Sequence, residues 1–154
     1  MSTLGLDLTK NLSYFTVPAA FLVSHVSHMV AAASSGKAYD NGNPKNFESN
    51  LKNSQTLDKA TKERTLRLKY AANNGLETLG FFAASVVAAN QAGVEIEALN
   101  KLSIGYVISR LVYTLYYANT GEDIKLSVAR SGLWVSGIFC IVGLWVKAGL
   151  KVAQ

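Results

Sequence analysis

The sequence predicts an all-α integral membrane protein, a four-helix bundle forming a single domain over residues 1–154. Three observations carry the prediction. Apolar residues make up 49% of the chain and charged residues only 16%, short of the roughly 25% charged content of an ordinary soluble domain. Four long stretches hold almost no charge, and the charges that remain gather between them, most in one loop. A hydrocarbon core of about 30 Å takes roughly 20 helical residues to cross. Helices are therefore expected at about 11–36, 68–94, 100–119 and 128–150, with a loop at about 37–67.

Residues 11–36 carry no formal charge. Asp7 and Lys10 precede them and no small-residue cleavage pattern follows, so this helix is expected to stay as a membrane anchor. His25 and His28 share one helical face at i, i+3. Buried histidines more often pack than catalyse. His28 is the better candidate for acid–base work, because it lies nearer the loop, and imidazole is a common general acid or base.

The loop follows. Residues 37–69 hold eight of the fifteen basic residues against four acids, and the cluster Asp40-Asn41-Gly42-Asn43-Pro44 breaks any continuous helix. The positive-inside rule places this loop in the cytoplasm and both termini on the other side. The net charge of +5 is thus a topology signal, and nucleic acid is not an expected partner.

The second stretch, 70–94, has the single charge Glu77, with Asn73 and Asn74 on the same side of the helix. Gly80, Ala84, Ala88 and Ala92 recur every fourth residue, a pattern that lets helices approach closely in lipid. The third, 102–121, has only Arg110; Tyr106, Tyr113, Thr114 and Tyr117 fall on its face. The fourth, 131–146, is uncharged, and Lys147 and Lys151 extend it by snorkelling. Gly132 and Ser136 repeat the small-residue spacing, Trp134 and Trp145 read as interfacial anchors, and Cys140, among apolar neighbours, reads as packing.

An ionisable group at bilayer depth costs about 2.5–3.5 kcal/mol on insertion scales and marks function by default. Glu77 and Arg110 qualify. The plain structural alternative is a buried ion pair between them, whose breakage would cost about 3–5 kcal/mol. The surplus of asparagine and tyrosine around them, and Arg130 at the foot of the fourth helix, point instead to a site for a polar, anionic ligand entering from one membrane face.

These residues resemble a known family. Arg67-Leu-Lys-Tyr70-Ala-Ala-Asn73-Asn74-Gly-Leu-Glu77 resembles the R-x-x-R-A-x-x-N-x-x-E signature of the MAPEG superfamily, the membrane-associated proteins in eicosanoid and glutathione metabolism. Arg110-Leu-Val-Tyr113-Thr-Leu-Tyr-Tyr117 is similar to its R-x-x-Y-x-x-x-Y motif, Ala129-Arg130-Ser131 to the step opening its fourth helix, and Asn43-Pro44 to a step in its first loop. The resemblance implies a homotrimer in the endoplasmic reticulum membrane, with sites between subunits that open to the cytosol. It also implies that Asn74, Glu77, Arg110, Tyr113, Tyr117 and Ser131 hold glutathione, and that Arg130 stabilises its thiolate. Tyr70 stands where the signature has a second arginine, Asn73 replaces an arginine of some members, and Lys37 is the nearest cation to the end of the first helix.

No glycine-rich nucleotide loop, Ser-His-Asp arrangement or metal-ligand spacing is present in the sequence. The expected function is a glutathione-dependent transferase, peroxidase or isomerase acting on a lipophilic substrate, with Arg130, Tyr113 and His28 as catalytic candidates. The Tyr70 and Asn73 departures motivate one alternative on the same scaffold, a glutathione-independent cyclase or isomerase of a hydrophobic metabolite; a non-catalytic lipid-binding protein is the other alternative.

Overall fold

The computed structural model describes residues 7–121 and 124–154; the ends of the expected domain at residues 1–6, and residues 122–123, lie outside the described residues. Those described are helical throughout their regular parts: α1 (Ser13–Ser34), α2 (Phe47–Asn53), α3 (Lys59–Gln91), α4 (Ile96–Asn119) and α5 (Ile124–Val152). The four long helices pack side by side, with α3 touching α1, α4 and α5. Large apolar side chains such as Phe15 and Phe139, each 71% exposed, cover the outside. Water does not tolerate such a surface over a whole molecule; hydrocarbon does.

Two helices, α1 and the 126–152 part of α5, are long and apolar enough to cross a membrane by composition alone. The sequence reading expected four such spans. The other two fall short because α3 carries Asn73, Asn74 and Glu77, and α4 carries Arg110 among tyrosines and Thr114. The loop is also shorter than expected. Helix α3 starts at Lys59, nine residues before the expected boundary at 68, with Asp58 capping it through a bond from the Thr61 amide at 2.7 Å. Around Asp40–Pro44 the chain turns, as its breakers dictate, and Pro44 opens a short 3-10 turn before α2.

Small polar residues make the inner contacts. Ser13, Thr16, Ala20, Ser24, Ser27 and Ala31 form the buried stripe of α1, which packs on α3, and a Cβ at Gly75 would overlap the Ser24 hydroxyl. This is close packing through small residues, and of the stripe the sequence suggested only Ala88 and Ala92 pack against the core. A Cβ at Gly80 meets nothing, and Ala84 is exposed. The tryptophans also depart from expectation. Trp134 and Trp145 are eleven residues apart, about 16 Å along a helix and half the core thickness, so they do not mark both interfaces; Trp145 lies over Phe81, ring centroids 6.0 Å apart.

At the end away from the charged loop, Asn100 closes the fold. Its amide donates to the carbonyls of Leu8 and Lys10, while its oxygen accepts from the Leu12 amide at 2.8 Å, supplying a partner that the α1 N-terminus lacks within its own helix.

Candidate functional site

An Arg–Tyr ladder runs along the inward face of α4. The i, i+3, i+7 spacing of Arg110, Tyr113 and Tyr117 stacks them in order. The Arg110 guanidinium lies over the Tyr106 and Tyr113 rings at 5.5 and 5.1 Å, the Tyr113 and Tyr117 rings are 5.7 Å apart, and Arg130 of α5 lies over Tyr117 at 4.4 Å. Cations over aromatic faces are held in place by the ring quadrupole. The ladder thus links the bundle interior to the charged end. Tyr106 is committed elsewhere: its hydroxyl bonds the Thr78 hydroxyl at 2.7 Å.

Arg110 is 2% exposed. Its Nη2 donates to the backbone carbonyls of Leu133 at 3.3 Å and Trp134 at 3.0 Å. Gly137, one turn further along α5, leaves the room for this: a Cβ there would lie 2.6 Å from Arg110 Nη2. The Nε and Nη1 groups of Arg110 are buried without a protein partner. The possible ion pair with Glu77 is not formed, because Glu77 points outward from α3 and is exposed.

Where the ladder ends, a pocket of about 350 Å³ opens between α3, α4 and α5, lined by Arg67, Tyr70, Tyr117, Ser127 and Arg130 among others. Arg130 Nη2 donates to Ser127 Oγ at 3.0 Å. Arg67 has a distant neighbour in Glu63, 3.9 Å away, and its Nε is buried without a partner. Beside the pocket, Glu48 of α2 accepts from Lys52 at 2.8 Å and from Lys69 at 3.4 Å, with the Tyr70 hydroxyl nearby. These donors, Lys52 first, hold the Glu48 carboxyl down at about 2.

The remaining candidates scatter. Asn74 is half-buried and its amide donates to the Tyr70 carbonyl of its own helix. Ser131 is exposed and bonds back to the Ser127 carbonyl. His28 packs edge-on to Tyr39 at 6.1 Å, on the α1 side, and does not line the pocket. His25 is exposed and stacks on Phe21. Within one chain, then, Arg110, Tyr113, Tyr117 and Arg130 come together, and Glu77, Ser131 and His28 stand apart.

The order of these groups along four long helices is what a family comparison tests, and the MAPEG family model matches residues 12–150. The chain belongs to the MAPEG family. No characterised protein and no solved structure matches it. Membership, with the two apolar helices, makes this MAPEG protein an integral membrane protein and supports, in general terms, a role in glutathione or eicosanoid metabolism.

Sequence reasoning missed Arg67 and Ser127 as site residues of this MAPEG chain. The signal for Arg67 was available: it opens the signature, and Arg67, Tyr70 and Asn74 fall on one face at i, i+3 and i+7. Gly137 had none, since its role depends on the register of α5 against α4.

Proposed function

We propose that the protein is a glutathione-dependent transferase, peroxidase or isomerase acting on a lipophilic substrate, working as a homotrimeric bundle of four spans per copy in the endoplasmic reticulum with the 37–67 loop cytosolic. The pocket at the end of the ladder carries the reading. Two guanidinium groups, Arg67 and Arg130, line one opening of about 350 Å³, within the range of small-molecule sites. Neither has an ion-pair partner closer than 3.9 Å among the described residues. Guanidinium forks match carboxylates, of which glutathione has two, and the unpartnered Nε of Arg67 fits such a ligand.

Bound glutathione supplies a thiol whose thiolate is the nucleophile. Arg130 favours the negative charge beside it, Tyr113 orients a hydroxyl from the ladder, and Arg110 fixes the ladder from within. Asn74, Tyr117, Glu77 and Ser131 complete the binding set, the last two from outward faces that a neighbouring copy would cover.

The test is glutathione titration of the detergent-solubilised protein near neutral pH, following both binding and thiolate ultraviolet absorbance. Arg130→Leu is expected to lower the thiolate population about ten- to a hundredfold, as loss of one charged contact implies, while binding persists. Tyr70→Arg alone would pair with Glu48, so the family cation returns to the pocket only in Tyr70→Arg combined with Glu48→Gln, which should tighten binding. No binding and no thiolate in the wild type, with none in that double variant, overturns the reading. The engagement of Tyr70 by Glu48 favours one second reading in that event, a thiol-free cyclase or isomerase, with loss of turnover in His28→Ala as its test.

A further inference from the structure

A second cavity belongs to none of this. It is a groove of about 570 Å³ between α1 and α4, away from the pocket that Arg130 lines. Its walls are aliphatic, chiefly Leu22, Val26 and Val30 on α1 and Val107, Leu111 and Leu115 on α4. At one end stand Arg64, near the start of α3, and Asn119, the last residue of α4. Arg64 is exposed and makes no ion pair among the described residues, while the adjacent Glu63 faces Lys59 and Arg67 instead.

Two measures identify the occupant. On α1 the groove runs from Ala19 to Val30, eleven helical rises or about 16 Å, which is half of a 30 Å hydrocarbon core and so the depth of one leaflet. Its cationic end coincides with the charge-rich loop, at headgroup level. A second copy of the chain would need neither property. We propose that this groove is a binding site for one anionic phospholipid of the loop-side leaflet, with an acyl chain along α1 and α4 and the headgroup phosphate on Arg64.

The site stands apart from the proposed glutathione reading, and its test keeps the two apart. The detergent-solubilised full chain is titrated with phosphatidylglycerol or phosphatidylcholine of identical acyl chains and read by native mass spectrometry. Phosphatidylglycerol is expected to be retained at lower concentration, by roughly fivefold or more for one arginine facing an anionic headgroup. Arg64→Gln should erase that preference without moving glutathione affinity. Val26→Trp and, separately, Leu115→Trp, both at exposed positions, should lower retention of both lipids by filling the groove. Equal retention of the two lipids by wild type, a preference that survives Arg64→Gln, or retention unaffected by both tryptophans overturns the proposal. So does displacement by an equimolar free fatty acid, or efficient disulfide formation between copies carrying Val26→Cys with Cys140→Ser, which would show a second chain seated there.

Discussion

Arg110 carries a charge at 2% exposure with no carboxylate against it among the described residues, so removing it is a different experiment from breaking an ion pair. The carbonyls it contacts, of Leu133 and Trp134, already belong to helix α5 and are not orphaned by its loss. Replacing an uncompensated buried charge with an apolar side chain of similar length is often neutral or stabilising. Arg110→Met should therefore keep or raise the thermal midpoint in detergent. A drop of about 3–5 kcal/mol would instead reveal a carboxylate partner, for which the outward-facing Glu77 of a neighbouring copy is the candidate. Gly137→Ala should cost about 1–3 kcal/mol as overpacking, since its Cβ would lie 2.6 Å from Arg110 Nη2 and 2.8 Å from Ser109 Oγ. Combining it with Arg110→Met should recover part of that loss, because the two side chains share one space; full additivity would show that the guanidinium does not depend on Gly137.

At the scale of helices, lipid reverses the usual marks of inside and outside. The buried stripe of α1 is Ser13, Thr16, Ser24 and Ser27 together with the two alanines Ala20 and Ala31, whereas Phe15, Leu22 and Val26 face out. The four charge-poor stretches and the Arg110–Tyr113–Tyr117 face were legible in the sequence, because charge and helical period act within one segment. Which of two small-residue stripes on α3 packs inward was not, because that depends on the register of a neighbour. Gly75→Leu should thus separate α1 from α3 and lower thermal stability, while Gly80→Leu should leave the single chain's fold intact; the reverse order would overturn the packing described. Helix α2 offers a pH test. Phe47 and Leu51 are buried beneath it, and Glu48 fastens it to Lys69 and Tyr70. The Glu48 carboxyl is held below its ordinary 4.5, at about 2, so its stabilisation is fully present above 4.5 and is lost as pH falls toward 2. Limited proteolysis of α2 should quicken across that window in wild type. Glu48→Gln should quicken it already at neutral pH and flatten the acid response; an unchanged profile would mean that α2 is held by its apolar contacts alone.

Over the whole molecule, the proposed orientation rests on charge and the proposed assembly on exposure. The cytosolic orientation proposed for the loop rests on eight basic residues against four acids in residues 37–69, read by the positive-inside rule. With Cys140→Ser as background, Lys52→Cys should react with membrane-impermeant reagents only from the cytosolic side; labelling from the lumenal side alone would invert the topology and the mouth of the site with it. The residues of the expected binding set divide between an interior ladder, Arg110 to Arg130, and the exposed Glu77 and Ser131. No sequence pattern reveals such a division, since i, i+3 and i+4 spacing orders residues around one helix and not around a bundle. If copies of the chain complete one another's sites, two different defects should cancel when mixed. Arg130→Leu and Glu77→Gln would each suppress the thiolate signal when expressed alone. Co-expressed and purified through separate tags on the two variants, assemblies containing both should regain part of that signal, because some interfaces then pair an intact Arg130 with an intact Glu77 from the other chain. No recovery, with both variants present in the same particle, would place Glu77 and Arg130 in one subunit's site and leave the exposed face of α3 to packing alone.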